Sequence, residues 1–287
     1  MKRIGFIGLG IMGLPMARHL MEKGYALYVY TRTRSKAQPL LDEGAIWCDG
    51  PGTVTFLSDA VITMVGFVQD VEDVYFKKDG IIANAKPRSY LIDMTTTSPT
   101  LSARIYDAAK EKGAHALDAP VSGGETGAQN AALSIMAGGD REAYEACLPL
   151  FECMGAQITY TGAAGSGQHT KMANQIAISG ALAGVCEAIA YGRQNGLNLD
   201  TMLKSISKGA AGSWQMENLG PRILQGDLAP GFFMKHFIKD MGIALSEEQD
   251  LSLQVLKTVY DACRELQAQG LGDCGTQALI RHYCDVD

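Results

Sequence analysis

The sequence lacks the cysteine patterns of a disulfide framework and of a zinc site. It contains seven cysteines, an odd number, and no two of them have Cys-x-x-Cys spacing. The histidines show no metal-ligand spacing, and no Ser/His/Asp arrangement stands out. We therefore expect free thiols in a reducing compartment and no bound metal.

A basic excess and a long uninterrupted apolar run are also absent. The formal net charge of −6 argues against a nucleic-acid-binding surface, although it allows a local basic pocket for one small anion. The N-terminus enters a strand pattern without the apolar core of a signal peptide. The most apolar stretch, 176–190, is rich in glycine and alanine and is expected to be too short and too interrupted to span a bilayer. No contact with a membrane is predicted, and the expected location is the cytoplasm.

The first half of the chain alternates short apolar runs with helical patterns, which predicts a mainly parallel sheet with helices on both faces. The predicted strands are Ile4–Ile7, Leu27–Tyr30, Ala60–Val65, Tyr90–Asp93 and His115–Asp118. Helices are predicted after the first strand, over Lys36–Glu43 and over Ser98–Lys112. Ser98 is the expected cap of the last of these, because Pro99 suits a first helical position.

The pattern changes near Gly162. A helical stretch without proline runs from there to about Gln194, and apolar periodicity predicts further helices around Leu199–Ile206, Asp240–Leu256 and Tyr260–Gln267. A chain of 287 residues is also too long for one ordinary core. We predict an α/β domain over 1–163, a connecting helix over 164–194 and an all-helical C-terminal domain over 195–287.

A glycine-rich turn follows the first predicted strand. Gly8-Leu9-Gly10-Ile11-Met12-Gly13 matches GxGxxG and opens a helix, as the dinucleotide-binding fingerprint requires. Gly8 permits the turn, Gly10 lets the backbone approach a pyrophosphate, and Gly13 lets the helix pack on the sheet. The helix N-terminus presents N–H groups to the phosphates. The first domain is therefore predicted to be a Rossmann-type fold that binds a dinucleotide.

The loop after the second strand bears on the choice between NAD and NADP. A site for NAD places an acidic residue there to hold the ribose 2′-hydroxyl, but residues 30–36 contain no acid and three bases. Arg32 can form charge-assisted bonds to a 2′-phosphate and stack on adenine. NADP is the predicted cofactor, with NAD as the alternative.

The start of the long helix carries an amine and two amides. Lys171, Asn174 and Gln175 are spaced i, i+3 and i+4, so one helical face holds all three. Burial of a lysine disfavours its ammonium form and makes the amine a usable base near neutral pH. A second motif, Asp118-Ala119-Pro120-Val121-Ser122-Gly123-Gly124, ends a predicted strand. Its serine hydroxyl and glycine N–H groups could bind a carboxylate.

Taken together, these motifs resemble the β-hydroxyacid dehydrogenase family, which includes 3-hydroxyisobutyrate dehydrogenase and tartronate semialdehyde reductase. The resemblance covers essentially the whole chain. Four segments carry it in order: 5–13, Asp118 to Gly124, Gly165 to Asn174, and Lys239-Asp240. It implies hydride transfer between a nicotinamide cofactor and a small β-hydroxy acid or its semialdehyde, in a homodimer or homotetramer.

The resemblance also implies roles for single residues. Lys171 is the expected general acid and base, and Asn174 the substrate-orienting amide. Substrate is expected to contact Ser122, Gly123, Gly124, Gln175 and Asp240. Cofactor is expected to contact Gly8, Leu9, Gly10, Ile11, Met12, Gly13, Arg32, Thr33, Lys36, Met64, Val65, Thr96 and Lys239. Thr31 departs from the asparagine common in NADP-using members, which weakens the NADP preference slightly.

Three other functions stay open on the sequence. A 6-phosphogluconate dehydrogenase would share the glycine turn and the lysine but needs a longer helical domain. An imine reductase or another carbonyl reductase would share the fold, and the imine reductases usually lack the lysine. A non-catalytic nucleotide-binding or scaffold protein would bind cofactor and turn over no hydroxy acid.

Overall fold

The computed structural model describes residues 1–285 and contains two compact units, Met1–Lys171 and Met172–Asp287. The first unit is an α/β domain and the second is helical, which confirms the predicted fold class. The predicted connecting helix is a single helix, Ser166–Gln194, whose first residues belong to the first unit. The last two residues of the predicted C-terminal domain, 286 and 287, lie outside the described residues.

One sheet organises the first unit. Its strands are β1 (Arg3–Ile7), β2 (Ala26–Tyr30), β3 (Ile46–Trp47), β4 (Ala60–Thr63), β5 (Tyr90–Asp93), β6 (His115–Asp118), β7 (Val121–Ser122), β8 (Leu133–Gly139) and β9 (Gly155–Gly162). The strand order is β3-β2-β1-β4-β5-β6-β8-β7, and β9 pairs with β8. The strands from β3 to β6 are all parallel, whereas β8 is antiparallel to β6 and to β7. The order of the first six is that of a dinucleotide-binding sheet.

Helices connect most of the strands of this unit, and a last helix follows β9. They are α1 (Gly13–Glu22), α2 (Gln38–Asp42), α3 (Pro51–Leu57), α4 (Val68–Phe76), α5 (Ile81–Asn84), α6 (Pro99–Glu111), α7 (Gly124–Gln129), α8 (Arg141–Phe151) and α9 (Ser166–Gln194), with a 3₁₀ helix at Arg34–Ala37. Successive residues of a strand enter opposite cores. Ile62 packs in one hydrophobic cluster, and its neighbour Val61 packs in the other. Both faces of the sheet are therefore buried, as its near-continuous apolar strands predict.

The five predicted strands are all present, with ends that differ by at most two residues. Ser98 caps α6 as predicted, since its side chain accepts from the Leu101 N–H at 3.1 Å. The predicted helix over Lys36–Glu43 is instead a 3₁₀ turn followed by the short α2, because Pro39 lies in the first turn of α2 and marks a new helix start.

Up to residue 285, the second unit contains the rest of α9 and five more helices: α10 (Leu199–Ile206), α11 (Trp214–Asn218), α12 (Gly220–Leu224), α13 (Met234–Ser246) and α14 (Gln254–Ala268). Two 3₁₀ helices follow, at Leu271–Asp273 and Thr276–His282. The predicted helix at Leu199–Ile206 is confirmed. The prediction of a single helix over Asp240–Leu256 is wrong. The helical conformation is interrupted between α13 and α14, where Gln249 adopts a positive φ of 51°. Apolar periodicity continued across a polar turn and concealed the break.

Helix α9 is longer than the apolar stretch that the sequence suggested. It has 29 residues and is long and apolar enough to cross a bilayer by those two criteria. The inference that this region is too short to span was therefore wrong on length. Of its most apolar 18-residue segment, 44% is buried inside the protein. The core helix of a folded domain can be equally long and apolar.

Two buried carboxylates occupy adjacent strand ends of the first unit. Asp93 ends β5 and is paired in register with Asp118, which ends β6. The Asp93 carboxylate accepts from the Thr63 hydroxyl at 2.7 Å and from the Thr95 N–H at 3.1 Å. Burial raises the pKa of Asp93 to about 6 and that of Asp118 to about 6. The carboxyl ends of these strands therefore hold acids that are costly to ionise.

Replacement of Asp93 by asparagine should make stability less dependent on pH. The pKa of about 6 in the folded protein lies above the ordinary aspartate value, so the Asp93 contribution to stability is present at low pH and is lost as the pH rises through about 6. Because asparagine imitates the protonated acid, Asp93→Asn should raise the free energy of unfolding at pH 8 by roughly 1 kcal/mol or more. The expected change at pH 4 is small. Urea unfolding at both pH values measures the difference.

The control is Asp73→Asn. Asp73 is only partly buried at the surface, and its hydrogen bond to Lys77 lowers its pKa, so this variant should gain nothing at pH 8. An equal stability change for Asp93→Asn at pH 4 and pH 8 would contradict the assignment.

Candidate functional site

The glycine-rich turn lies where β1 passes into α1. Gly8 adopts a φ of +99°, and a Cβ there would lie 2.2 Å from the Met64 carbonyl oxygen. A Cβ on Gly13 would lie 1.9 Å from the Gly8 carbonyl oxygen. Gly10 differs, because it is exposed and a Cβ there meets no atom within 4 Å. The turn is thus closely packed on its inner side and open at Gly10, which fits a pyrophosphate approaching the backbone.

The basic loop after β2 is exposed and contacts an acid that the sequence analysis missed. Arg32, with 78% of its side chain exposed, places Nη1 2.8 Å from Asp70 Oδ1. Asp70 lies in the first turn of α4, where its other oxygen accepts from the Phe67 N–H at 3.1 Å. Because β2 and β4 flank β1 in the sheet, this pair spans the strand that leads into the glycine turn. No local sequence signal joins two residues so far apart.

An exposed ion pair of this kind does not prevent Arg32 from binding a phosphate. Such pairs contribute about 0–1 kcal/mol, whereas hydrogen bonds to charged groups contribute about 1.5–3 kcal/mol. Thr33 and Lys36 are exposed in the same loop. Arg34 instead packs on an aromatic ring, since its guanidinium lies 5.1 Å from the centre of the Trp47 ring.

Short contacts connect the ends of β1, β4 and β5. Met64 and Val65 directly follow β4, not within it as predicted, and the Met64 N–H donates to the Ile7 carbonyl at 2.9 Å. The Val65 N–H donates to the Thr95 hydroxyl at 3.0 Å. The structure therefore brings together the turn at Gly8, the segment 64–65 and the turn that contains Thr96, three segments that hold four of the predicted cofactor contacts. Thr96 is half-buried between the buried Thr95 and Thr97.

The start of α9 is bound to the carboxyl end of β6. The N–H groups of Gly165 and Gln168 donate to the two oxygens of Asp118 at 2.8 and 2.9 Å. The N–H groups of a first helical turn have no partner within the helix, so a carboxylate there satisfies them and complements the helix dipole. Asp118 was quoted in the sequence motif without a role, because its partners lie about fifty residues away.

Lys171 follows this anchored turn. The residue is only 5% exposed, so nearly all of its surface is removed from bulk water. Gln168, three residues earlier, is fully buried and bonds to both neighbours of Thr96. The first unit thus contains the glycine turn, the Thr96 turn and the lysine at the carboxyl ends of its strands, where α/β sheets bind ligands.

The predicted carboxylate motif lies at β7. Ser122 is half-buried and pairs in register with Ser134 of β8. Gly123 and Gly124 adopt φ values of +130° and +60°, which glycine tolerates and other residues rarely adopt. The strands β7 and β8 were not predicted from the sequence.

The remaining predicted residues form a polar chain within the second unit. The Asn174 amide donates from Nδ2 to Gln175 Oε1 at 2.8 Å, and Gln175 Nε2 donates to Asp240 Oδ2 at 2.7 Å. Lys239 Nζ lies 3.0 Å from Asp240 Oδ1. Because a carboxylate only accepts, Asp240 fixes the orientation of the Gln175 amide, which in turn fixes that of Asn174. The structure therefore connects four predicted site residues.

Comparison with known proteins assigns both parts of the chain. Residues 3–162 match a family model described as the NAD binding domain of 6-phosphogluconate dehydrogenase. Residues 165–283 match a model described as NAD-binding of NADP-dependent 3-hydroxyisobutyrate dehydrogenase.

Three relatives in sequence illustrate the similarity. The chain is 55% identical to an uncharacterized oxidoreductase of Bacillus subtilis, with 98% of each chain covered. It is 43% identical to probable 3-hydroxyisobutyrate dehydrogenase-like 1, mitochondrial, of Arabidopsis thaliana, over 97% of this chain and 84% of that one. It is 37% identical to 2-hydroxy-3-oxopropionate reductase of Escherichia coli, over 92% of this chain and 89% of that one.

Solved structures agree with these matches. Mycobacterium tuberculosis 3-hydroxyisobutyrate dehydrogenase with L-serine superposes with a TM-score of 0.90, at 28% identity and 98% coverage of both chains. Psf3 in complex with NADP+ and 2-OPP gives a TM-score of 0.89, at 28% identity, covering 97% of this chain and 99% of that one. The chain therefore belongs to the β-hydroxyacid dehydrogenase family of oxidoreductases that bind a nicotinamide cofactor.

Proposed function

We propose that this enzyme transfers hydride between NADP(H) and a short β-hydroxy acid or its semialdehyde, with Lys171 as the proton-transfer residue. The observation that carries the proposal is the burial of Lys171 on the first turns of α9, which Asp118 binds to the carboxyl end of β6. The same compact unit holds the open glycine turn. We place the enzyme in the cytoplasm as a homodimer or homotetramer, in line with its family and its free thiols.

The bound nicotinamide supplies the hydride acceptor in oxidation and the hydride donor in reduction. In oxidation, the neutral Lys171 amine accepts the proton of the substrate hydroxyl and becomes an ammonium while a carbonyl forms. In reduction, the Lys171 ammonium returns that proton to the oxygen as the C–H bond forms. Asn174 orients the reacting oxygen, and Ser122 with the N–H groups of Gly123 and Gly124 holds the carboxylate. Gly8 to Gly13 would hold the pyrophosphate of the cofactor, and Arg32 would hold its 2′-phosphate.

The substrate class is tested with a panel of 3-hydroxyisobutyrate, glycerate, L-serine, tartronate semialdehyde and succinic semialdehyde, each with both cofactors. Change in nicotinamide absorbance reports turnover. We expect turnover of at least one member and a higher kcat/KM with NADP(H). Binding of NADPH without turnover of any short acid would support the non-catalytic alternative.

Removal of the lysine should abolish chemistry without abolishing cofactor binding. Proton transfer by a positioned side chain contributes about 10²- to 10⁴-fold to rate, so Lys171→Ala should lower kcat by that order. The Kd for NADPH, measured by its fluorescence, should change by less than about twofold because Lys171 is assigned to the reacting oxygen. Lys204→Ala, on the exposed face of α10, serves as the matched control. Near-normal turnover of Lys171→Ala would refute the role.

Removal of Arg32 should discriminate between the two cofactors. Loss of charge-assisted bonds to the 2′-phosphate, at about 1.5–3 kcal/mol, predicts that Arg32→Ala raises the KM for NADPH roughly 10- to 100-fold. The KM for NADH should change far less. Arg34→Ala is the control, because that guanidinium packs on Trp47. Equal changes for both cofactors would count against a 2′-phosphate pocket.

Two alanine variants should separate cofactor binding from folding. Gly10 has open space around it, so Gly10→Ala should keep the melting temperature and weaken binding of both NADPH and NADH by blocking the pyrophosphate. Gly13→Ala places a methyl group against the Gly8 carbonyl and should lower the melting temperature as well. Unchanged cofactor affinity in Gly10→Ala would contradict the proposed phosphate site. Thermal unfolding and fluorescence titration measure the two effects.

A further inference from the structure

Gln168 makes an unusual set of contacts for a residue at the start of a helix. Its side chain is 0% exposed, and its Nε2 donates to the Thr95 carbonyl at 2.8 Å. Its Oε1 accepts from the Thr97 N–H at 3.1 Å. One amide therefore bonds to the residues on either side of Thr96. A carbonyl only accepts and an N–H only donates, so a flipped amide would lose both bonds.

The backbone of Gln168 is held as firmly as its side chain. Its N–H donates to Asp118 at the end of β6, while its amide contacts the turn after β5. Lys171 follows by one helical turn, at the i+3 spacing that places two side chains on the same helical face. A displacement of Gln168 would therefore move Lys171 relative to the Thr96 turn.

We propose that Gln168 is a positioning residue that sets the placement of the Lys171 amine relative to the Thr96 turn. This inference rests on the proposed function, in which Thr96 lines the cofactor and Lys171 moves the proton. In oxidation the proton leaves the substrate oxygen and the hydride leaves the carbon bonded to it, so the amine and the nicotinamide must be aligned on these two atoms at once. A misplacement of about 1 Å can cost about 10²-fold in rate, which makes a rigid connection between the two elements valuable.

A buried amide could also matter only for stability, so the test needs a glutamine with equal burial elsewhere. Gln277 meets that need. It is 1% exposed, and its Nε2 donates to the backbone carbonyls of Asp227 and Ala229, each at 3.0 Å. None of these residues belongs to the proposed site.

The first experiment compares Gln168→Leu with Gln277→Leu. Hydride transfer is followed with 3-hydroxyisobutyrate and NADP+, or with the fastest substrate of the panel above. Gln168→Leu should lower kcat by about 10- to 100-fold, with the Kd for NADPH within about twofold of the parent. Gln277→Leu should lower the melting temperature comparably and keep kcat, at a temperature where both variants are folded.

A double-mutant cycle separates action through Lys171 from an independent effect. If Gln168 acts by placing Lys171, Gln168→Leu should cost little further rate in a Lys171→Ala background. Full additivity of the two losses would overturn the inference. So would equal kcat losses in Gln168→Leu and Gln277→Leu.

Gln168→Glu gives a test that does not depend on the fate of the leucine variant. Protonated, the new carboxyl can donate to the Thr95 carbonyl and accept from the Thr97 N–H as the amide does. Ionised, it sets a negative oxygen against that carbonyl. Measured in the direction of reduction, where the parent loses activity as the Lys171 ammonium loses its proton at high pH, the variant should approach the parental kcat at low pH and lose activity at a lower pH than the parent does. A pH profile parallel to that of the parent would overturn the inference.

The outcomes also distinguish this inference from the function on which it rests. Near-normal turnover of Lys171→Ala would remove the proposed function itself. An inactive Lys171→Ala together with a parental kcat in Gln168→Leu would leave that function in place and overturn the role of Gln168.

Discussion

The bond between the Asp118 carboxylate and the first turn of α9 is the contact on which the site of the first unit depends. A helix of 29 residues begins with N–H groups that no residue of the helix can satisfy, and burial makes that deficit costly. Asp118 accepts from Gly165 and Gln168, which fixes the start of the helix at the carboxyl end of β6. The position of Lys171 follows from this, because only one helical turn separates it from Gln168.

Similar polar contacts join the other carboxyl ends of the parallel strands. Parallel strands end at one edge, and each end is joined to the next by a short polar contact: Val65 to Thr95, and Thr95 and Thr97 to Gln168. The two Gln168 bonds are buried and the Val65 bond is partly buried, so each is stronger than an exposed bond and costs more to break. Hydrogen bonds therefore connect the loops at the carboxyl ends of these strands, from the glycine turn to α9.

The sequence predicted those structural features that depend on residues close together in the chain. The glycine turn, the Ser98 cap and the helix that carries Lys171 each follow from neighbouring residues. The strand Leu133–Gly139 escaped prediction because it is short of β-branched residues, ends in two glycines and gains its stability from distant partners. Gln168 and Asp118 were visible in motifs, but their roles depend on contacts that only the folded chain makes.

The two buried carboxylates at the strand ends reduce the stability of the folded protein at neutral pH. Burial raises the pKa of Asp93 to about 6 and that of Asp118 to about 6, so each is ionised at neutral pH against the preference of its surroundings. Stability alone would favour neutral residues at both positions. A carboxylate at Asp118 accepts two N–H groups at once, a task that one amide oxygen performs less well because it lacks the charge and the second acceptor. The presence of an acid that is costly to ionise at this point is best explained by the precision with which it holds the helix that carries Lys171.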